Sequence, residues 1–114
     1  MTIAEAVERR DGYWHSCGYD IHEADDTFND MNRDIIAAYR EAFPEAMIGI
    51  LLPDCELRNI PDDLPNFCAA FVVPKDDAQL RKDLLKYKIL GVSLMFDTVY
   101  KRIKEIGGEF LSWS

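Results

Sequence analysis

An α+β fold, with about four helices packed on a small three- to four-stranded sheet as a two-layer sandwich, is predicted by three features of the sequence. The chain has 114 residues, 48% of them hydrophobic, which is enough for a single acidic domain spanning residues 1–114. Apolar residues recur at helical period in segments bounded by capping residues and by Pro or Gly. Two short, continuously apolar runs, each closed by proline, read as buried strands.

Thr2 and Glu5 have the spacing of a capping box, so a first helix is expected over residues 3–10, ended by Asp11-Gly12. Tyr13, His15, Cys17, Tyr19 and Ile21 then alternate as the inner face of a strand would. The apolar stripe Phe28, Met31, Ile35, Ile36, Tyr39 and Phe43 marks the clearest helix, with Asp25 or Asp26 as its cap and Pro44 as its stop. Residues 46–52 form the first apolar strand, closed by Pro53. A turn-rich acidic connection follows from Pro53 to Pro65; it reads first as a simple connecting loop, and its density of prolines and acids would also suit a stiff recognition loop.

Residues 67–73 form the second apolar strand, ended by Pro74. Asp76 with Gln79 restarts a helix that carries Leu80, Leu84 and Tyr87 on one face. Ser93 caps a last helix with the inner stripe Phe96, Val99, Ile103 and Ile106, stopped by Gly107-Gly108. Residues 109–113 read as a final strand adding to the same sheet. The two apolar strands can pair either antiparallel or parallel, because their connection is long enough for a crossover.

Charge narrows the function classes. The net charge is −8, and between Asp11 and Asp77 there are 15 acids against four bases. Such a field repels phosphate and argues against nucleic acid as a partner; it favours a basic protein. No apolar run approaches the roughly 18 residues of a membrane helix. The N-terminus carries acid where a signal peptide carries base, and the cysteine count is odd at three, so a cytoplasmic protein with reduced thiols is expected. The surplus of base after Ala78 is complementary to the acidic segment, which also allows a salt-sensitive homodimer.

Two constellations could carry chemistry. Asp26, Asp30 and Asp34 repeat every four residues and stack along one helix face, with Arg33 and Arg40 expected to leave them unneutralised. With Tyr13 and Trp14 as aromatic anchors, this row is the expected contact surface for a basic partner, as in proteins of inhibitor, immunity or regulatory type. The alternative is a thiol- or metal-dependent enzyme built on His15, Cys17 and His22, since thiolate and imidazole are zinc ligands and can form a nucleophile pair. Its spacing matches no zinc-finger pattern, and His22-Glu23 fails as H-E-x-x-H because Asp26 stands where the second His is required. No phosphate-cradling or nucleophile-elbow motif occurs, and no cofactor is expected. Tyr19 belongs with Tyr13 and Trp14 among the aromatic residues expected to be partly exposed, as interface anchors or as edge cover, whereas several of Tyr39, Phe96, Tyr100, Phe110 and Trp113 lie at core spacing.

Overall fold

The computed structural model describes residues 1–16, 21–50, 56–59, 69–90 and 93–112. In chain order these form helices α1 (Ile3–Ser16) and α2 (Ile21–Ala42), strands β1 (Met47–Ile50), β2 (Glu56–Asn59) and β3 (Ala69–Val73), helices α3 (Ala78–Leu90) and α4 (Ser93–Glu105), and strand β4 (Glu109–Ser112). The strands make one four-stranded antiparallel sheet in the order β2-β1-β3-β4. The α+β class and the four helices stand as expected, and the last strand does join the common sheet.

Strand alternation sorts the core into two clusters. Ile48, Ile50, Ala70, Val72 and Leu111 point to one face and pack against Ala6 of α1 and Ile35, Ile36, Ala38 and Tyr39 of α2. Phe71 and Val73 point to the other face and meet Leu80 and Leu84 of α3 with Val99 and Ile103 of α4. The expected two-layer arrangement is thereby refined: the helices divide in pairs over both faces, with the sheet between them. The contacts of Trp14 with Phe28 and of Arg9 with Asp34 run in opposite chain directions, so α1 and α2 form an antiparallel hairpin.

Local signals set most element ends. The capping box at α1 closes in both directions: Glu5 N–H donates to Thr2 Oγ1 at 3.1 Å, and Thr2 N–H donates to Glu5 Oε1 at 3.2 Å. The Thr2 N–H, helped by the Thr2 hydroxyl, holds the Glu5 carboxyl below its ordinary range. At the end of α4, Gly107 adopts φ 81°, Gly108 N–H reaches the Ile103 carbonyl at 2.8 Å and Gly107 N–H reaches Lys104 at 3.2 Å. This is a Schellman stop, which needs the left-handed residue that glycine supplies.

Five expectations are corrected. Asp11-Gly12 does not end α1, which runs on to Ser16; Gly12 is exposed and costs about 1 kcal/mol of propensity, opposed by the packing of Trp14 on Phe28 at 5.3 Å. Tyr13 and His15 are therefore helical and not in a strand, while residues 17–20 lie outside the described residues. Helix α2 starts at Ile21, so neither Asp25 nor Asp26 caps it. The acidic connection contains β2, whose residues pair with β1 from Met47↔Asn59 to Ile50↔Glu56; the rest of that connection lies outside the described residues.

The fifth correction moves the cap of α3 from Asp76 to Asp77. Asp77 Oδ2 accepts the Leu80 N–H at 2.8 Å, and its carboxylate also takes Arg102 of α4 through bonds of 2.9 and 2.7 Å. The Arg102 hydrogen bonds, helped by the Leu80 N–H and opposed by partial burial, hold the Asp77 carboxyl below its usual range. Asp76 instead receives Arg81 at 2.6 and 2.7 Å.

Two side chains tie the layers together. Tyr39, only 3% exposed, donates its hydroxyl to the Gly107 carbonyl at 2.9 Å, joining α2 to the turn before β4. Burial, reinforced by the Glu109 carboxylate and opposed by Arg10, pushes the Tyr39 phenol up to about 12. The Phe71 ring lies directly over Gly49 of the neighbouring strand, where a Cβ would fall within the ring.

Tyr39 gives a pH prediction. The folded chain keeps the phenol proton after the unfolded chain has lost it, so this contribution is complete below the ordinary tyrosine range. It declines as pH rises from about 10 to about 12 and amounts to about 2–3 kcal/mol in all. Urea midpoints measured across that range should fall in the native chain and fall less steeply in Tyr39→Phe. A second prediction concerns packing: Gly49→Ala should cost about 1–3 kcal/mol in urea unfolding, and Phe71→Leu in the same chain should recover part of the loss.

Candidate functional site

Two clefts stand out among the described residues. The larger, about 550 Å³, lies between the turns at Phe43–Glu45 and Pro74–Asp77 and the end of α4 at Ile106. It is mainly apolar, and its partly buried carboxylate, Asp77, is already engaged by Leu80 and Arg102. The smaller, about 320 Å³, combines aromatic walls with charge. Arg10, Asp11 and Trp14 of α1, Phe28 of α2, Tyr100 of α4 and Glu109 and Phe110 of β4 line it.

The second cleft is built on a partly buried guanidinium. Arg10 has 10% of its side chain exposed and occupies its donors on three partners. Nη1 donates to the Phe110 carbonyl at 2.9 Å, Nη2 to Glu109 Oε1 at 3.0 Å, and both Nε and Nη2 to Asp11 Oδ1 at 3.1 and 2.9 Å. The planar fork of arginine suits this geometry, and a lysine would satisfy fewer of the three. The contact also engages a main-chain acceptor on β4, the outer strand of the sheet among the described residues. Lys104 supplies the second cation to Glu109, at 3.0 Å from Oε2.

Two aromatic pairs form the walls. Trp14 and Phe28 stand with ring centroids 5.3 Å apart at 46°, and Tyr100 and Phe110 5.5 Å apart at 55°. Both are tilted arrangements of the kind aromatic quadrupoles favour. The Lys104 ammonium sits 5.9 Å from the Tyr100 ring centroid, so that ring already faces a cation. Asp11 is half-exposed at the mouth and carries both Arg10 bonds on one oxygen, leaving Oδ2 toward solvent. One guanidinium and two carboxylates line the cleft, and Lys104 on Glu109 brings the local charge to zero.

The residues expected from sequence fall in different places. Trp14 lines this cleft; Tyr13, also half-buried, does not. Asp30 is exposed and accepts Arg33 Nη1 at 2.9 Å, while Asp34 lies 3.8 Å from Arg9 of α1. The expectation that nearby bases leave the row unneutralised is thus corrected for these two: one helical turn brings Arg33 to Asp30, and the antiparallel hairpin brings Arg9 to Asp34. Both pairs are solvated and worth little each.

The side chains of Asp26 and His22, and all of Cys17, lie outside the described residues. His15 is exposed near the end of α1. Among the described residues no group of three or more His, Cys, Asp or Glu is arranged to hold a metal ion, and no helix is long and apolar enough to cross a membrane.

Sequence reading passed over Arg10, Asp11 and Glu109. Nothing in the local pattern joins Arg10 to a carboxylate 99 positions away; only the abundance of aromatic residues signalled a recognition surface. No family model matches the chain, and no curated protein or solved structure matches it.

Arg10 should behave as the keystone of this cleft. Arg10→Ala is expected to cost about 3 kcal/mol, because it removes the Arg10 donors from Glu109 Oε1 and from the Phe110 carbonyl and takes away a well-packed side chain. Arg10→Ala with Glu109→Gln should lose less than the sum of the single changes, which a double-mutant cycle in urea will measure.

Proposed function

We propose that the chain is a small acidic binding protein that recognises a basic protein partner, in the manner of an inhibitor, an immunity protein or a regulator. The observation that carries this reading is the placement of Trp14, an anchor residue type, in an aromatic cleft whose mouth holds Asp11, in a chain with a net charge of −8. Aromatic anchors in partly desolvated clefts supply most of the energy at protein interfaces, and a surplus of negative charge speeds encounter with a cationic surface. Asp30 and Asp34 keep solvent-exposed side chains beside their arginines and remain part of the contact surface in this reading, while the long-range field comes from the net surplus of the whole chain. Tyr13, beside Trp14 on α1, and Asp26, on α2, extend the contact surface in this reading. A cytoplasmic setting agrees with three cysteines, an odd number, remaining as thiols.

The test is to capture the partner from cells that make the chain and follow association by stopped flow. The partner should carry a surplus of base, and its association rate should fall as salt rises from about 0.05 M to about 0.5 M. Asp30→Lys with Asp34→Lys moves the net charge from −8 to −4, and association should slow and lose much of its salt dependence. A partner without basic surplus, or rates indifferent to salt and to charge reversal, would overturn the reading.

A further inference from the structure

We infer that the cleft between α1, α2, α4 and β4 receives an arginine side chain projecting from the basic partner. This rests on the preceding reading and names the group recognised. At about 320 Å³ the cleft lies at the lower end of ligand-site volumes, a size for one long side chain rather than a folded element or a large cofactor.

Its walls and mouth offer the two features a guanidinium requires. The first is aromatic surface from two sides, Trp14 with Phe28 and Tyr100 with Phe110, for the apolar stem and the flat cationic head. That Tyr100 accepts the approach of a cation is visible in Lys104, 5.9 Å from its centroid. The second is a carboxylate able to take a hydrogen bond without dismantling the fold. Glu109 is already engaged on both oxygens, by Arg10 and Lys104, whereas Asp11 is half-exposed and engaged only on Oδ1. Asp11 Oδ2 therefore receives the incoming guanidinium, and Arg10 holds that carboxylate in position from behind. With Lys104 on Glu109 the cleft and its rim are locally neutral, so the charge complementarity comes from the −8 of the whole chain.

The experiment uses the native chain, labelled with ¹⁵N and ¹³C, and three capped hexapeptides of arginine, lysine and the neutral isostere citrulline. Chemical shifts of the Trp14 indole and Tyr100 ring report on the cleft. Saturable shifts of both groups with the arginine peptide are expected, with citrulline binding about tenfold or more weakly and lysine in between. Asp11→Asn and Tyr100→Leu, both at solvent-accessible positions, should each weaken the arginine peptide about three- to tenfold.

Equal binding of citrulline would overturn the inference. So would arginine binding that leaves Trp14 and Tyr100 unshifted and is unaffected by the two substitutions. If that cleft-independent binding weakens in the Asp30→Lys, Asp34→Lys chain, the basic-partner reading survives while the arginine cleft falls. Absence of binding to any cationic peptide overturns the cleft, and the salt dependence with the captured partner then decides the broader reading separately.

Discussion

Strand β3 must be covered on both faces at once. Ala70, Phe71, Val72 and Val73 are four consecutive residues without solvent exposure, and strand geometry sends successive side chains to opposite sides. Leaving either face bare would expose side chains whose burial is worth about 1.5–3 kcal/mol each for the larger ones. The helices therefore divide, α1 and α2 over Ala70 and Val72, α3 and α4 over Phe71 and Val73. Gly49 belongs to the same constraint: the Phe71 ring needs the space that any larger residue on β1 would take. In this sheet the central strand organises both layers, and the flanking strands inherit their orientation from it.

Closing the layers leaves polar groups to satisfy, and the structure does so with long-range contacts at one end and one edge. Tyr39 reaches from α2 to the Gly107 carbonyl, and Arg102 of α4 reaches the cap of α3 at Asp77. At the β4 edge, Arg10 bridges α1 to the Phe110 carbonyl and to Glu109. These contacts have a functional corollary. By drawing α1 against β4, Arg10 also sets the spacing between Trp14 and Phe110, so the cleft arises where an edge strand is covered from the side. Stability and the candidate binding surface share the same guanidinium.

The charge distribution has two scales. Locally, the described acids are often met by bases: Asp30 by Arg33, Asp34 by Arg9, Asp76 by Arg81 and Asp77 by Arg102. Across the molecule, 21 acids against 13 bases still leave a surplus of −8. Exposed pairs contribute little to stability. The uncompensated remainder acts through its field, within a Debye length of roughly 8–10 Å at ordinary salt. In the proposed reading, short-range selectivity comes from shaped contacts in the aromatic cleft.

What the sequence determined by itself is what depends on neighbours a few residues apart. The Thr2–Glu5 capping box, the Gly107-Gly108 stop, the helical stripe through Ile35 and Tyr39 and the two apolar strands were all legible, because each is decided by local hydrogen bonding or by hydrophobic period. Even Asp77 was misplaced by only one position, since Asp76 offers the same chemistry. The continuation of α1 past Gly12 was not legible; it depends on Trp14 meeting Phe28 across the hairpin. Strand β2 was hidden among prolines and acids, because pairing with β1 and not its own composition makes it a strand. The cleft was least legible of all. Its residues come from α1, α2, α4 and β4, and only burial of β3 from both sides brings residue 10 beside residue 109.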